Sequence, residues 1–551
     1  MPPRGLWSLL SRFLPGATRA APPSTARPAP FAYDASWPDV DALMSGPFST
    51  TRGVEDIRLL APLLCSGEES VWKPAAARGA SWLAAIRSTE LPRVDEAFRG
   101  WMFVHHRRAR PWAELTVGDL LQGAGQPERA GPLLMLATFH SSGFIRHEAV
   151  AALARRNDGA ELPFLLLRLN DWVRPVREEA EAALAARLRA GNAAHFAHVL
   201  PLVLRLQAAT RNDVSDLARR VLDLLSAADD GRLLLDGLRS EDPAVRRACL
   251  GVAQRNEALR WPALRAASAS SDPMLRLAAV RAAAQAAPGP ELWELAAAWG
   301  RDPLAAVRRE ALQVLAAAFP DRALPLLEAG LLDGSAPVRR VSRFLLRGRG
   351  RGDFAARYRQ AMSSGQGLAA ALRGLGETGE RADVEHVLAH LDHPSPSVRR
   401  AAVEALAALD GDHQVDRLLE ALASATPGVS RAGRMALCGR AHAAGGPRLW
   451  AIFASSTHHH VRVNALAVMA ALDRWDALPL LVRAAAGADP LVAARAGNEV
   501  TALVAGYNRR FFTQPGPTQR ASLERELRTG APQLSTAAVE TIELIVHPKP
   551  F

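Results

Sequence analysis

The apolar positions of this chain fall into a recurring unit, plainest at residues 392–409, DHPSPSVRRAAVEALAAL. A polar, proline-bearing turn leads into Val398, Ala402, Ala405 and Leu406 on one helical stripe, with Arg399 beside the first of them. Aligned on that first apolar residue, the unit recurs at Ile145, Val176, Val214, Val245, Leu275, Val307, Val338, Leu368, Val398, Val429, Val461 and Val492. The steps between these anchors are 30 to 32 residues, with one exception of 38 between Val176 and Val214. Four residues beyond the anchor, eleven of the twelve positions are small, among them Ala149, Ala180, Cys249, Ser342, Ala402 and Gly433. Eight beyond, Leu or another large apolar residue returns, as at Leu153, Leu184, Leu315, Leu406 and Met469. Positions i, i+4 and i+8 share one helical face. A small residue in its middle lets a neighbouring helix come close.

Each such helix is preceded by a second apolar segment, for example LPFLLLRL from Leu162 or ALPLLEAGLL from Ala323. The junction is often Asp-Pro, at Asp242-Pro243, Asp272-Pro273, Asp302-Pro303 and Asp489-Pro490. Asp caps a helix N-terminus and Pro is tolerated in its first turn. One helical pair cannot bury its stripe alone, so pairs must stack. The D-P-x-V-R-x-x-A pattern over residues 128–505 resembles the HEAT-repeat family, in the short form of bacterial HEAT-like and phycobilisome-lyase-type repeats. The expected fold is all-α: a right-handed α-solenoid of about twelve helical pairs with a cap at each end. The resemblance is specific for fold and nearly silent on activity.

The ends depart from the register. Residues 1–30 carry a short apolar stretch with Leu6, Trp7 and Leu10, then a Pro/Ala-rich run that reads as a flexible tail or a tethered helix. Residues 31–127 hold Trp37, Trp72, Trp82, Trp101 and Trp112, with helical patterns near 54–64, 72–86 and 94–105, and read as an N-terminal cap. The run HHRRAR from His105 reads as a solvated helix end. Residues 506–551, from YNRRFF at Tyr507 through a QPGP loop to two short helices, read as the C-terminal cap. Inside the array, the 38-residue step predicts a bulging loop over 191–198. The Leu368 unit has Ala369 for Arg, Leu372 for the small residue and Gly376 for Leu, with Gly365, Gly367, Gly374 and Gly379 besides, and is a candidate hinge.

The chain has 551 residues, so length does not limit its core. Its three cysteines, Cys65, Cys249 and Cys438, stand far apart and imply neither a disulfide framework nor a thiolate metal site, which fits a reducing, cytoplasmic setting. No apolar run reaches the ~20 residues of a membrane span. The net charge is +11, and all but two of the basic residues, Lys73 and Lys549, are Arg.

Candidate chemistry follows the arginines. The residue after the anchor is Arg in eight units (Arg146, Arg177, Arg246, Arg276, Arg308, Arg339, Arg399 and Arg462). The HEAT resemblance implies that this Arg pairs with the turn Asp of its own or a neighbouring unit. The next position lies about 200° from the packed stripe, facing solvent. It holds Arg247, Arg309, Arg340, Arg400 and Arg431. In the Val338 unit Arg340, Arg343 and Arg347 share a face, and the loop RGRGRGD adds Arg349 and Arg351 before Arg357 and Arg359. Asp353 is the only acid between Arg339 and Arg359, so this is the sharpest local signal for a phosphate or an acidic partner. Phe344, Phe354 and Tyr358 are the only aromatics there, few for stacking single strands, and Phe344 is open to being buried.

Other constellations are weaker. His386, His390 and His393 have helical spacing and His458, His459 and His460 adjoin, but no Cys or fixed acidic ligand accompanies either set, and no metal or other cofactor is implied. Asp171-Trp172-Val173-Arg174 is similar to an element of HEAT-like alkylpurine DNA glycosylases. Where that family places its catalytic Asp, this chain has Val176. Phycobilin lyases share the repeat type, but no residue set here carries bilin chemistry. The expected function is therefore a non-enzymatic scaffold that holds a protein partner. The alternative is binding of nucleic acid or another polyanion through Arg247, Arg309, Arg340, Arg343, Arg347, Arg349, Arg351 and Arg400, and a lyase- or glycosylase-type enzyme ranks last. Oligomeric state is not legible.

Overall fold

A computed structural model describes residues 53–101, 110–208, 213–505, 514–530 and 533–547. The 1–30 tail with Trp7, Trp37, the basic run at 105–109 and the YNRRFF segment at 507–512 lie outside the described residues. Every regular element among the described residues is helical. The chain divides into two compact units, Met1–Ser270 and Ser271–Phe551, with the boundary in a turn between two helices.

The first unit opens with helices Gly53–Leu64, Glu69–Ala85, Leu91–Trp101 and Val117–Ala124, close to the patterns read from the sequence. The tryptophans there fill a core: Trp72, Trp82 and Trp112 are buried. Phe98 meets Trp112 edge-on at 5.8 Å and Phe139 at 5.5 Å, and Phe139 in turn meets Phe164 at 5.8 Å. This run of rings fuses the N-terminal helices to the first repeats. Four pairs follow: Pro127–Ala137 with Gly143–Leu153, Leu162–Arg168 with Arg174–Ala185, Ala193–Leu206 with Ser215–Ala227, and Arg232–Gly237 with Pro243–Ala253. In the second unit seven pairs run from Pro290–Trp299 with Ala305–Ala318 to Arg474–Ala485 with Pro490–Val504, and the helices Pro517–Gly530 and Thr536–Val546 close it. The helices Glu257–Ser268 and Pro273–Ala283 flank the division.

The stripe explains the pairing. Eleven of the twelve anchors are buried, and so is every position four residues beyond. At that middle position the facing helices match in size. A Cβ on Gly237 would stand 2.4 Å from Cys249 Sγ, and one on Gly330 2.3 Å from Ser342 Oγ. Where the second helix itself carries Gly433, a Cβ would stand 2.5 Å from the Leu422 backbone nitrogen. A residue larger than Ala thus meets a glycine across the pair, and a glycine meets the opposite backbone.

The start of each second helix is also legible chemistry. Asp242 and Asp272 accept from the amides of Ala244 and Met274, both at 2.8 Å, with Pro243 and Pro273 opening the helices. Asp489 likewise caps Pro490–Val504. At Asp302-Pro303 the geometry differs: the helix begins at Ala305, and Asp302 accepts from Leu304 N at 2.7 Å in the turn before it.

Two expectations need correction. The extra residues after Val176 do not bulge out over 191–198. A 3-10 turn at Ala190–Asn192 runs straight into a 14-residue first helix, Ala193–Leu206, where Leu162–Arg168 has 7. The apolar run VLPLVLRL, with Val199, Leu200, Leu202, Val203 and Leu206 buried, favours the longer helix. The Leu368 unit is shifted by two residues, because its helix starts at Leu368 itself rather than two residues earlier. The anchor is Ala370, buried, and the small middle residue is Gly374, where a Cβ would stand 2.2 Å from the Tyr358 ring. Gly376 similarly abuts Ala405 Cα, 2.7 Å from the place of a Cβ. These helical glycines serve close packing. Only Gly365 and Gly367, with φ of 70° and 55°, act as backbone turns.

Candidate partner-binding face

The arginine after the anchor forms a ladder that joins successive turns. Arg308 shows it in full. Its Nη1 donates to the carbonyls of Asp302 at 2.7 Å and Pro303 at 3.1 Å, in the turn that starts its own helix. Its Nε and Nη2 clamp both carboxylate oxygens of Asp333, in the next turn, at 2.7 Å. Arg276 clamps Asp302 at 2.6 and 3.1 Å, and Arg146 clamps Asp171 at 2.9 and 2.8 Å. Arg462 reaches Asp489 at 3.3 Å. Arg399 meets Thr426 Oγ1 at 2.9 Å, because the next turn there offers Thr in place of Asp. So the carboxylate comes from the following unit, and the arginine's own turn contributes carbonyls.

The carboxylates of Asp302 and Asp333 are thereby fixed as anions. Burial pushes the Asp333 carboxyl up, but the hydrogen bonds from Arg308 and the Ser335 amide outweigh it and hold it below the ordinary carboxylate range. Asp302 is held low in the same way, by Arg276 and the Leu304 amide against burial. The ladder arginines are structural, and their charge is spent inside the fold.

The basic loop after Val338 is less basic in three dimensions than along the chain. Arg343 donates to Glu377 at 2.6 Å and to Tyr358 Oη at 3.0 Å, and Arg339 shares Glu377. Arg351 and Arg357 converge on Glu328, Arg359 meets Asp383 at 2.6 Å, and Arg349 donates to the Ala316 carbonyl at 2.9 Å. The acids that the local sequence lacks arrive from neighbouring helices. Elsewhere, Arg309 pairs with Glu310 at 2.8 Å and Arg400 with Glu404 at 2.7 Å. Arg247, Arg340 and Arg347 are exposed, with Arg347 also 5.7 Å from the Phe354 ring centre. Arg247 lies in the first unit and the other candidate arginines in the second.

Phe344, open in the sequence to burial, is 71% exposed, while Phe354 and Tyr358 are buried. It lies between Arg340 and Arg347 on the outer side of the Ala336–Arg347 helix, whose inner side buries Val338, Arg339, Ser342 and Leu346. Other large apolar side chains are displayed in register. Phe144, Met274 and Leu491 each immediately precede an anchor, and Met435, like Phe344, lies six residues after one. Trp172, also exposed, lies in the turn before the Arg174–Ala185 helix. The sequence holds these positions in plain view. The offsets of the five in register, one before or six after the anchor, place them off the buried stripe.

The chemical constellations resolve into structure. Asp171 is wholly buried between Arg146 and Arg168, and Arg168 also holds Asp95 at 2.8 Å. Burial raises the Asp171 carboxyl, yet the guanidiniums outweigh it and its pKa is lowered, the opposite of a general base poised near neutrality. Arg187, equally buried, clamps Glu161 at 2.8 Å and donates to the carbonyls of Ala154 and Ala183. Neither buried Arg168 nor Arg187 was foreseen, although a lone Arg inside LPFLLLRL is itself a signal for one. Burial pushes the Cys65 and Cys249 thiols up to about 12, so neither is a thiolate nucleophile at neutral pH. His390 and His393 have ring centres 6.2 Å apart, and His460 faces the Ser424 carbonyl at 3.2 Å. No group of three metal-ligating side chains assembles among the described residues. In the first unit a groove of about 1170 Å³ is lined by Ser88, Arg156, Asp158, His195 and Glu241, with Arg205 donating to the Thr89 carbonyl at 3.1 Å nearby.

With the stripe, the Asp-bearing turns and the arginine ladder in place, the family comparison falls on the same ground. Residues 360–438 match the family of HEAT repeats. The chain carries HEAT repeats. Among solved structures it is similar to Kap121p, with a TM-score of 0.33 and 12% identity over 94% of this chain and 66% of that one. It is similar also to importin beta, with a TM-score of 0.34 and 15% identity over 92% of this chain and 84% of that one. The chain spans just under two thirds of the length of Kap121p. No curated protein sequence matches it. Among the described residues, no helix is long and apolar enough to cross a membrane.

Proposed function

We propose that this HEAT-repeat protein is a non-enzymatic scaffold that holds a protein partner on the exposed sides of its second helices. The observation that carries the reading is the display of Phe144, Met274, Phe344, Met435 and Leu491 at two fixed offsets from buried anchors. Single exposed apolar residues are ordinary on a soluble surface. Recurrence in register is not, since the same helical position is then offered by several units. Aromatic residues and Met, here Phe144, Phe344, Met274 and Met435, are enriched in protein interfaces. Most of the arginine charge that favours a polyanion is meanwhile compensated inside the chain.

The test is co-purification of the tagged full-length protein after nuclease treatment, followed by reconstitution with the purified partner and titration calorimetry. A stoichiometric protein whose affinity falls on Phe144→Ala or Phe344→Ala is the expected result. Co-purification of nucleic acid alone, lost on Arg340→Glu with Arg347→Glu, would replace this reading with polyanion binding.

A further inference from the structure

We infer that the outer face of the Ala336–Arg347 helix docks an acidic, amphipathic helix of a partner protein, an assignment that rests on the scaffold reading and gives it a location and a chemistry. Arg340, Phe344 and Arg347 stand at i, i+4 and i+7, the spacing of one helical face. All three are exposed, and Phe344 at 71% is among the most exposed large apolar residues described. The third basic residue of the segment does not join them, because Arg343 is turned inward onto Glu377 and Tyr358. What remains is an aromatic anchor between two cations roughly 10 Å apart along the helix axis. Its complement is a helix that places carboxylates at i and i+7 with a large apolar residue between them.

The same inventory argues for protein over nucleic acid. A single strand is gripped by a track of cations with successive stacking rings. Here the further arginines of the segment (Arg349, Arg351, Arg357 and Arg359) are engaged by Glu328, Asp383 and backbone carbonyls, and the further rings, Phe354 and Tyr358, are buried. One ring and two cations suit a compact protein contact.

The test is fluorescence anisotropy with the full-length protein and three labelled probes. These are a designed helical peptide about four turns long with Glu at i and i+7 flanking Leu, the same peptide with Lys in place of Glu, and a short single-stranded DNA. The acidic peptide is expected to bind and the Lys peptide not to bind. Phe344→Ala should weaken the acidic peptide by about tenfold or more, and Arg340→Gln with Arg347→Gln should weaken it and flatten its salt dependence. Arg431→Gln, on another helix, is the variant expected to leave binding unchanged, and thermal melts confirm that each variant is folded. Equal binding of the Glu and Lys peptides, or a variant-insensitive Kd, overturns the assignment. So does DNA binding lost in the same variants. If the natural partner binds a Phe344→Ala, Arg340→Gln, Arg347→Gln triple variant as well as it binds wild type, this face falls while the scaffold reading stands. If the acidic peptide binds as described but no protein co-purifies, the scaffold reading falls and the face stands.

Discussion

Gly433 has no Cβ because the backbone of the facing helix lies where one would go, with Leu422 N at 2.5 Å and the Ala421 carbonyl carbon at 2.9 Å. Main chain cannot rotate out of the way, so Gly433→Ala should cost about 1–3 kcal/mol of stability, a typical overpacking penalty, measured by denaturant melts. Gly237→Ala meets a side chain instead, Cys249 Sγ at 2.4 Å. It should be rescued in the Gly237→Ala, Cys249→Ala double variant, with a coupling energy on the order of 1 kcal/mol in the double-mutant cycle. Asp171 invites a different substitution. Asn removes the charge that Arg146 and Arg168 share, leaving two buried cations short of a partner. Asp171→Asn should therefore destabilise by about 3–5 kcal/mol. The small middle residues were legible in the sequence because their size is what the packing selects. Asp171's burial was not. Its neighbours Arg146 and Arg168 sit 25 and 3 residues away, and nothing in the local string sets it apart from a surface turn acid.

The turn and the helix it starts are read together, and so is the bond to the next turn. Asp302 and Asp333 each hold a guanidinium from the second helix of the preceding unit and an amide of their own turn. Their carboxyls are held below the range near 4 that they have in an unfolded chain. A group with a lowered folded pKa contributes stability above its unfolded pKa and loses it as pH falls through the folded one. Chemical denaturation between pH 7 and pH 2 should accordingly show stability falling in acid below about pH 4, and Asp333→Asn should be less stable at pH 7 with a shallower acid limb. The ladder's arginines were legible through the resemblance. The direction of the pairing was not, since the spacing allows the turn Asp of either unit, whereas in the fold the arginine's own turn offers carbonyls and the next turn the carboxylate. The Leu368 unit misled for a related reason. Its sequence aligns on a Leu, but the packed face begins two residues later at Ala370 and continues through Gly374 against Tyr358. A glycine in a helix reads as weakness until the ring that fills its space is known.

A net charge of +11 over 551 residues, nearly all of it guanidinium, reads as an affinity for polyanions. The structure divides that charge differently. The ladder arginines, the Arg349 to Arg359 run and Arg343 are held by carboxylates or carbonyls that sequence distance concealed, such as Glu328, Glu377 and Asp383. Releasing them to a phosphate would break internal bonds, so they contribute little to binding. The exposed cations of the Val338 unit are then Arg340 and Arg347. Counterion release scales with the phosphates neutralised, at a slope near −0.7 per phosphate for single strands and −0.9 for duplex. If these two carry the contact, log K against log salt should fall with a slope of roughly −1.4 to −1.8. A groove lined by all eight candidate arginines would give about −6 to −7. Anisotropy titrations of full-length protein with a duplex oligonucleotide over a range of potassium chloride concentrations measure this directly. The expected result is weak binding with a slope no steeper than the two-arginine value and not abolished by Arg340→Gln with Arg347→Gln, which would show that the composition overstates the usable charge. A steep slope unmoved by those substitutions would place a polyanion contact on other arginines and count against a scaffold that works mainly through protein contacts.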